Sequence, residues 1–163
     1  MTQYKYGLKS KHELFKSDIK YHGVFSINYR LVIPGVIAFY AETSTVQQNL
    51  PRKAVVFFKN IILNSGGAYD ATTGKFTAPN NGIYFFSWTI ATAAGNWFST
   101  EIVLNDKIFG RNHVNGKSSS PNYESGSATA IIKVERDDKV WIRVYDEKGY
   151  AYAEWSSFSG FQL

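Results

Sequence analysis

The sequence predicts an all-β domain built as a sandwich or a barrel. Aromatic residues make up 17% of the 163 residues, and Val, Ile and Thr are common, which is typical of strands. After residue 33, strand patterns recur at intervals of about ten residues, the spacing of sandwiches and barrels. No segment of useful length beyond residue 30 has helical periodicity. A chain of this length can bury the core of one domain.

The elements follow in order along the chain. A short strand is expected between the turn clusters at residues 66–67 and 80–82. Residues 42–52 and 112–125 have no periodicity and are predicted to be loops. The pair Asn105-Asp106 predicts a hairpin turn, and along 139–145 residues of even and odd number point to opposite faces. The other predicted strands cover residues 36–41, 54–63, 82–92, 99–104, 107–111, 127–134, 139–145 and 155–163.

The predicted strand 82–92 is apolar on both faces. Tyr84, Phe86 and Trp88 share one face, and Ile83 and Phe85 lie on the other. One face should cover the sandwich core, and a partner subunit is the simplest cover for the other. We expect Tyr84, Phe86 or Trp88 at that subunit interface, although periodicity does not decide which face is the core.

Residues 1–33 are expected to form a basic N-terminal arm, partly disordered, before a domain over residues 34–163. The arm carries six basic and two acidic side chains, a net charge of +4, whereas the rest has 12 basic and 11 acidic side chains, a net charge of +1. We interpret the arm as solvated, with contact to a membrane or polyanion as the alternative. A nearly neutral body argues against nucleic-acid binding, which depends on many phosphate contacts.

The start of the sequence does not look like a signal peptide, because no basic region is followed by an apolar run. Either the sequence begins after processing, or export uses another route. The apolar run at residues 31–40 is too short to span a bilayer, so no membrane insertion is expected. Cysteines are absent, which removes disulfides and thiolate sites.

Several motifs, in order, resemble the globular-head domain of the complement C1q family, within the tumour necrosis factor-like superfamily. The longest is Ala68-Tyr69-Asp70 followed by Thr72-Thr73-Gly74-Lys75-Phe76-Thr77-Ala78-Pro79. The others are Pro34-Gly35-Val36-Ile37-Ala38-Phe39, Gly82-Ile83-Tyr84-Phe85-Phe86, Ser125-Gly126-Ser127-Ala128, Asp138-Lys139-Val140-Trp141-Ile142-Arg143 and Ser157-Phe158-Ser159-Gly160-Phe161. The resemblance covers about residues 34–163.

The resemblance implies a ten-stranded antiparallel jelly roll that assembles as a homotrimer. It also implies a secreted recognition module that is not an enzyme. No collagen-like Gly-x-y repeat is present, so the chain is most similar to stalkless invertebrate members, such as those of bivalves. Those members serve as lectin-like receptors in innate immunity for sialylated or microbial sugars. The expected trimer-interface or core residues are Tyr84, Phe86, Trp88, Thr129, Ile131, Phe158 and Phe161.

Catalysis is not expected from the residues themselves. The histidines are His12, His22 and His113, and no nucleophile, phosphate-loop or metalloprotease motif occurs. Sugar binding instead uses aromatic stacking and planar polar groups, and a cationic, amide-rich group suits a carboxylated sugar. The alternative is that the tryptophans are buried and the loops merely solvated. The candidate ligand-binding residues are Trp97, Arg111, Asn112, His113, Asn115, Lys117, Tyr123, Tyr150 and Trp155, with Tyr152 as a further loop aromatic.

Calcium is a weaker expectation. Some relatives bind it near the top of the trimer, and Asp106 and Glu101 lie in the matching region, but Ser99-Thr100 stand where an acidic residue would be required. The Asp137-Asp138 pair is better explained as a turn than as a calcium site. Two other functions remain open from the resemblance: a structural extracellular or shell-matrix protein, and a trimeric receptor ligand.

Overall fold

The computed structural model describes residues 35–116, 123–146, 149–151 and 154–163. The arm expected over residues 1–33 therefore lies outside the described residues. These residues contain strands and turns but no helix, and hence no helix able to cross a membrane. Their twelve strands are β1 (Ala38–Glu42), β2 (Gln47–Leu50), β3 (Asn60–Ser65), β4 (Tyr69–Asp70), β5 (Lys75–Thr77), β6 (Gly82–Thr92), β7 (Trp97–Leu104), β8 (Lys107–Asn115), β9 (Glu124–Val134), β10 (Lys139–Val144), β11 (Gly149–Ala151) and β12 (Ser157–Gln162).

Ten of these strands form two five-stranded sheets. The first sheet has the order β3-β1-β12-β6-β9, and the second has the order β4-β5-β10-β7-β8, while β11 and β2 form a small ribbon. Neighbouring strands are antiparallel. The chain passes repeatedly between the sheets, so that β6, β9 and β12 lie in one sheet and β7, β8 and β10 in the other. This arrangement is the jelly roll that the sequence predicts.

Aromatic rings fill the core between the sheets. Phe39 stacks on Tyr69 with ring centroids 4.8 Å apart, and Phe86 meets Phe76 edge-on at 5.3 Å. Trp88 is fully buried, and its indole Nε1 donates a hydrogen bond to Thr100 Oγ1 at 3.0 Å. Ring pairs of this geometry stabilise the core beyond the burial of their surface. The aromatic residues, whose abundance indicated strands in the sequence, therefore also hold the two sheets together.

The expectation that Tyr84, Phe86 or Trp88 faces a subunit interface is wrong. All three side chains are fully buried within a single chain, as is Phe158 of β12, so these four are core residues. Alternation has the same period on both faces of a strand and cannot choose between them. The core takes the face with the larger apolar volume, since burial there removes more surface from water.

The opposite, outer face of the first sheet changes character along β6. We call Ile83, Phe85, Ile131 and Phe161 the apolar outer patch: the rings of Phe85 and Phe161 are 5.3 Å apart, and Ile131 is 67% exposed. Beyond this patch the outer side chains carry hydroxyls: Ser87, Thr89, Ser127 and Thr129. Strand β6 is therefore apolar on both faces only over its first half.

The predictions for the hairpin turn, the loops and the remaining strands are confirmed only in part. Asn105 and Asp106 adopt positive φ angles of 47° and 70°, which confirms the hairpin turn between β7 and β8. The loop predicted over residues 112–125 is shorter than expected, because β8 continues to Asn115. Strands β2 and β11 were not predicted. The apolar run at 54–58 is not a regular strand: Val55 makes one isolated bridge with Arg143, and the run is apolar because it packs into the core.

Candidate ligand-binding site

A pocket opens on the outer face of the second sheet, where β7, β8 and the end of β10 lie side by side. Its volume is about 380 Å³. The antiparallel register places Arg111 opposite Glu101 and His113 opposite Ser99, and it places Arg143 opposite Glu101 from the other side. We call this cavity the outer-sheet pocket. Its lining residues are Ser99, Thr100, Arg111, Asn112, His113, Tyr145 and Asp146.

Arg111 stands at the edge of this pocket over an aromatic ring. Its guanidinium carbon lies 4.6 Å from the centroid of the Tyr145 ring, a distance at which the cation is attracted to the ring face. Its Nε lies 3.8 Å from Glu101 Oε2, which is too long for a hydrogen bond. The side chain remains 56% exposed. Arg111 thus contacts both Tyr145 and Glu101 while much of its side chain stays accessible to a ligand.

His113 lies two residues after Arg111 on β8, so both side chains project from the same face of the strand. Its Nδ1 is 2.8 Å from Ser99 Oγ, and its ring centroid is 6.1 Å from that of Trp97. The Ser99 contact fixes the orientation of the imidazole, so that one ring nitrogen is engaged by the protein and the other edge of the ring can meet a ligand. Trp97 is half-buried and flanks the pocket without lining it.

Asn112 points to the other side of β8 and is largely buried. Its side-chain Nδ2 donates to the Gly126 carbonyl at 2.8 Å, which joins the edge of the second sheet to β9 of the first. A Cβ added at Gly126 would lie 3.0 Å from Val114 Cγ2 and 3.1 Å from Asn112 Oδ1. The amide of Asn112 therefore supports the sheet edge under the pocket, a structural role that the sequence did not indicate.

The two predicted cation ligands, Glu101 and Asp106, do come together, but on an arginine. Arg143 Nε donates to Glu101 Oε1 at 2.7 Å, and Arg143 Nη1 donates to Asp106 Oδ1 at 2.7 Å. Both the Arg143 and the Glu101 side chains are more than nine-tenths buried. Among the described residues, no group of three or more His, Cys, Asp or Glu side chains is placed to hold a metal ion.

The remaining predicted ligand residues do not line the pocket. Asn115 is exposed at the end of β8, paired with Trp97. Tyr123 is exposed before β9, Tyr150 is half-buried in the β11 ribbon, and Trp155 is 69% exposed in the turn before β12. Lys117 and Tyr152 lie outside the described residues. The structure therefore unites Arg111, Asn112 and His113 from the predicted set.

Ser99, Thr100, Tyr145 and Asp146 also line the pocket but were not among the ligand residues predicted from the sequence. Ser99 and Tyr145 are joined by a backbone hydrogen bond from Tyr145 N to Ser99 O of 2.9 Å. The alternation along residues 139–145 did place Tyr145 on the face opposite Val140 and Val144. What was lacking was the register between β7 and its two neighbours, which alone brings residues more than 40 positions apart into one pocket.

Comparisons with known proteins agree with this fold. The family model of the C1q domain matches residues 38–163. The chain is 29% identical over 130 residues to the heavy metal-binding protein HIP of Mytilus edulis, across 78% of this chain and 60% of that protein. It is 29% identical over 129 residues to complement C1q tumor necrosis factor-related protein 2 of Homo sapiens, across 76% of this chain and 44% of that protein. The chain thus spans about half the length of the curated relatives it matches.

Solved structures give the same architecture. The globular domain of zebrafish complement 1qA protein superposes with a TM-score of 0.63 at 19% identity, over 78% of this chain and 97% of that one. Murine APRIL superposes with a TM-score of 0.60 at 10% identity, over 78% of this chain and 99% of that one. At these identities the likeness shows the fold alone. Because the family model spans most of the sequence, however, the chain belongs to the C1q domain family.

Proposed function

We propose that this chain is a secreted, non-catalytic recognition module that binds a carboxylated carbohydrate in the outer-sheet pocket. The observation that carries the proposal is the position of Arg111, stacked on Tyr145 beside the Ser99–His113 pair. A planar cation, an aromatic ring and small polar groups on a rigid sheet are the usual elements of a specific polar-ligand site. This recognition role accords with the C1q domain and with the resemblance to lectin-like invertebrate members.

The charges of the pocket favour a ligand with one carboxylate and several hydroxyls. Within the described part of the chain, the Arg111 guanidinium makes the 3.8 Å ion pair with Glu101 and the ring contact with Tyr145. Its Nη donors can therefore meet a carboxylate in the bidentate geometry that arginine prefers. Asp146 at the pocket edge would repel a second carboxylate and would accept hydrogen bonds from hydroxyls. A sialic acid has this combination of groups.

A binding comparison of wild type with Arg111→Ala and Arg136→Ala tests the proposal. Arg136 is an exposed arginine in the turn between β9 and β10, so its removal changes the net charge equally without touching the pocket. Loss of a charged hydrogen bond is worth about 1.5–3 kcal/mol, which corresponds to about a 10- to 150-fold weaker affinity. We expect this loss for Arg111→Ala on sialylated glycans and wild-type affinity for Arg136→Ala.

Equal binding by wild type and Arg111→Ala would contradict the proposed site. If wild type binds no glycan but is captured by a cell-surface receptor or by extracellular matrix, the alternative functions expected from the sequence take its place. A glycan array, followed by calorimetry with the best ligand, distinguishes these results.

We further propose that three copies of the chain assemble through the apolar outer patch. C1q and tumour necrosis factor folds form trimers, and an exposed apolar cluster of this kind marks a contact surface. Leu163, whose backbone N donates to Ile83 O at 3.0 Å, extends the cluster and is 68% exposed. The outer-sheet pocket lies on the opposite sheet and would stay open in such a trimer, so that one particle would present three pockets.

A further inference from the structure

The carboxylates of Glu101 and Asp106, which the sequence suggested as calcium ligands, are already paired with a cationic side chain of the protein, Arg143. Arg143 lies between them, with Nε 2.7 Å from Glu101 Oε1 and Nη1 2.7 Å from Asp106 Oδ1. Its Nη2 is 3.4 Å from the Asp106 backbone oxygen. A carboxylate–backbone–carboxylate set of this kind is an oxygen donor set that calcium uses. Here the guanidinium takes up those oxygens instead.

A divalent cation does not fit beside this arginine. The Arg143 side chain is 7% exposed and Glu101 is 4% exposed, so water screens their charges weakly. The second oxygen of Glu101, Oε2, has no hydrogen-bond partner but faces Arg111 Nε at 3.8 Å. Each oxygen of Glu101 thus faces a different arginine. An added metal ion would meet a fixed positive charge on both sides of the one buried carboxylate.

The strand register makes this arrangement. Arg143 of β10, Glu101 of β7 and Arg111 of β8 lie in one row across the outer face of the second sheet. Cross-strand neighbours of opposite charge stabilise each other. Glu101 lies between the two arginines. Arg143 therefore fixes the carboxylate that Arg111 approaches from the other side. The row therefore ends at the outer-sheet pocket.

We propose that Arg143 is a built-in substitute for a divalent cation. It neutralises Glu101 and Asp106, and through Glu101 it acts as a positioning residue for Arg111. Calcium is consequently excluded from Glu101 and Asp106 and affects neither stability nor ligand binding through these two residues. The ligand-binding part rests on the proposed function, whereas the metal part concerns the protein alone and stands or fails separately.

Thermal unfolding with and without calcium tests the metal part. For wild type, about 10 mM calcium should shift the melting temperature by less than about 1 °C relative to sodium chloride of equal ionic strength. Arg143→Gln frees both carboxylates, so we expect calcium to raise its melting temperature. With a dissociation constant of about 1 mM, typical of extracellular sites, the shift would be about 4 °C.

Two matched variants give the controls. Arg143→Lys keeps the positive charge and should remain insensitive to calcium. Arg143→Gln combined with Glu101→Gln removes the buried carboxylate and should lose the calcium response. Should Arg143→Gln not fold in salt alone, recovery of folded protein after dilution from urea is compared with and without calcium. Recovery that requires calcium supports the proposal.

Three results would overturn the proposal. One is a calcium shift in wild type that Glu101→Gln abolishes, since the carboxylates would then hold a metal despite Arg143. Another is an Arg143→Gln variant that gains no calcium response, which would make Arg143 an ordinary ion-pair partner. The third concerns positioning: if wild type binds its glycan and a folded Arg143→Gln variant in calcium-free buffer binds it equally well, Arg143 does not position Arg111. Absence of glycan binding by wild type would contradict only the proposed function.

Discussion

The trimer proposal makes a quantitative prediction about Ile131. This side chain lies at the exposed centre of the apolar outer patch, opposite Phe85 in the register of β6 and β9, and the residue is 67% exposed in a single chain. Ile131→Ala removes three carbon atoms, each worth about 0.8 kcal/mol when fully buried. Scaled by the exposed fraction, the loss is about 1.6 kcal/mol per subunit and about 5 kcal/mol for three copies.

This loss should weaken trimer association by about three to four orders of magnitude, since each 1.4 kcal/mol is a factor of ten. The assay is sedimentation equilibrium of wild type and variant over a range of concentrations. Ile108→Ala is the matched control, because Ile108 is also an exposed isoleucine but belongs to the second sheet. A wild type that sediments as a single chain at all micromolar concentrations would contradict assembly through the apolar outer patch. So would an Ile131→Ala variant that associates as tightly as Ile108→Ala.

Three further predictions concern the fold. Thr100→Val leaves the buried indole Nε1–H of Trp88 without its acceptor and should lower the free energy of unfolding in urea by about 1–3 kcal/mol, whereas Thr100→Ser should retain most of it. Gly160→Ala places a Cβ 2.5 Å from Phe86 Cδ1 and 2.9 Å from Phe39 Cε1, so we expect calorimetry to show a melting temperature lower by about 3–10 °C; a change below about 1 °C would contradict this packing. Hydrogen bonds from Thr72 and its backbone lower the pKa of the Asp70 carboxyl, so its charge stabilises the fold above the ordinary aspartate pKa and loses this effect as pH falls through the lowered value. Urea titrations should therefore find Asp70→Asn less stable than wild type at neutral pH, with the difference shrinking below about pH 4; a constant difference would exclude this cause.

Much of the fold was predictable because its signals are local. The face of β10 that holds Val140, Ile142 and Val144 is buried as the alternation indicates, and Asn105-Asp106 turn as their backbone preferences indicate. Strand β2 escaped prediction because three of its four residues are polar. It is held by tertiary contacts: Gln47 Nε2 donates to Phe57 O at 2.7 Å, and its Oε1 accepts from Phe57 N at 2.9 Å. A local sequence pattern cannot show that the Gln47 side chain makes hydrogen bonds with the Phe57 backbone that a neighbouring strand would otherwise make.

The site was less predictable because it depends on register. Residue type alone selected Arg111 and His113, which lie two positions apart on one face of β8. It also selected Trp155 and Tyr123, which are exposed but do not line the pocket. Tyr145 could be recognised only once β10 was placed beside β7, since sequence patterns do not specify which strands pair. The same pairing turned the expected calcium ligands into partners of an arginine.

The most direct test of the proposed binding site is a two-dimensional amide NMR titration of the protein with N-acetylneuraminic acid. We expect saturable shift changes clustered at Ser99, Arg111, His113 and Tyr145. Saturable changes confined to the exposed aromatics Tyr123 and Trp155, or no saturable change at any residue, would contradict the proposed binding site.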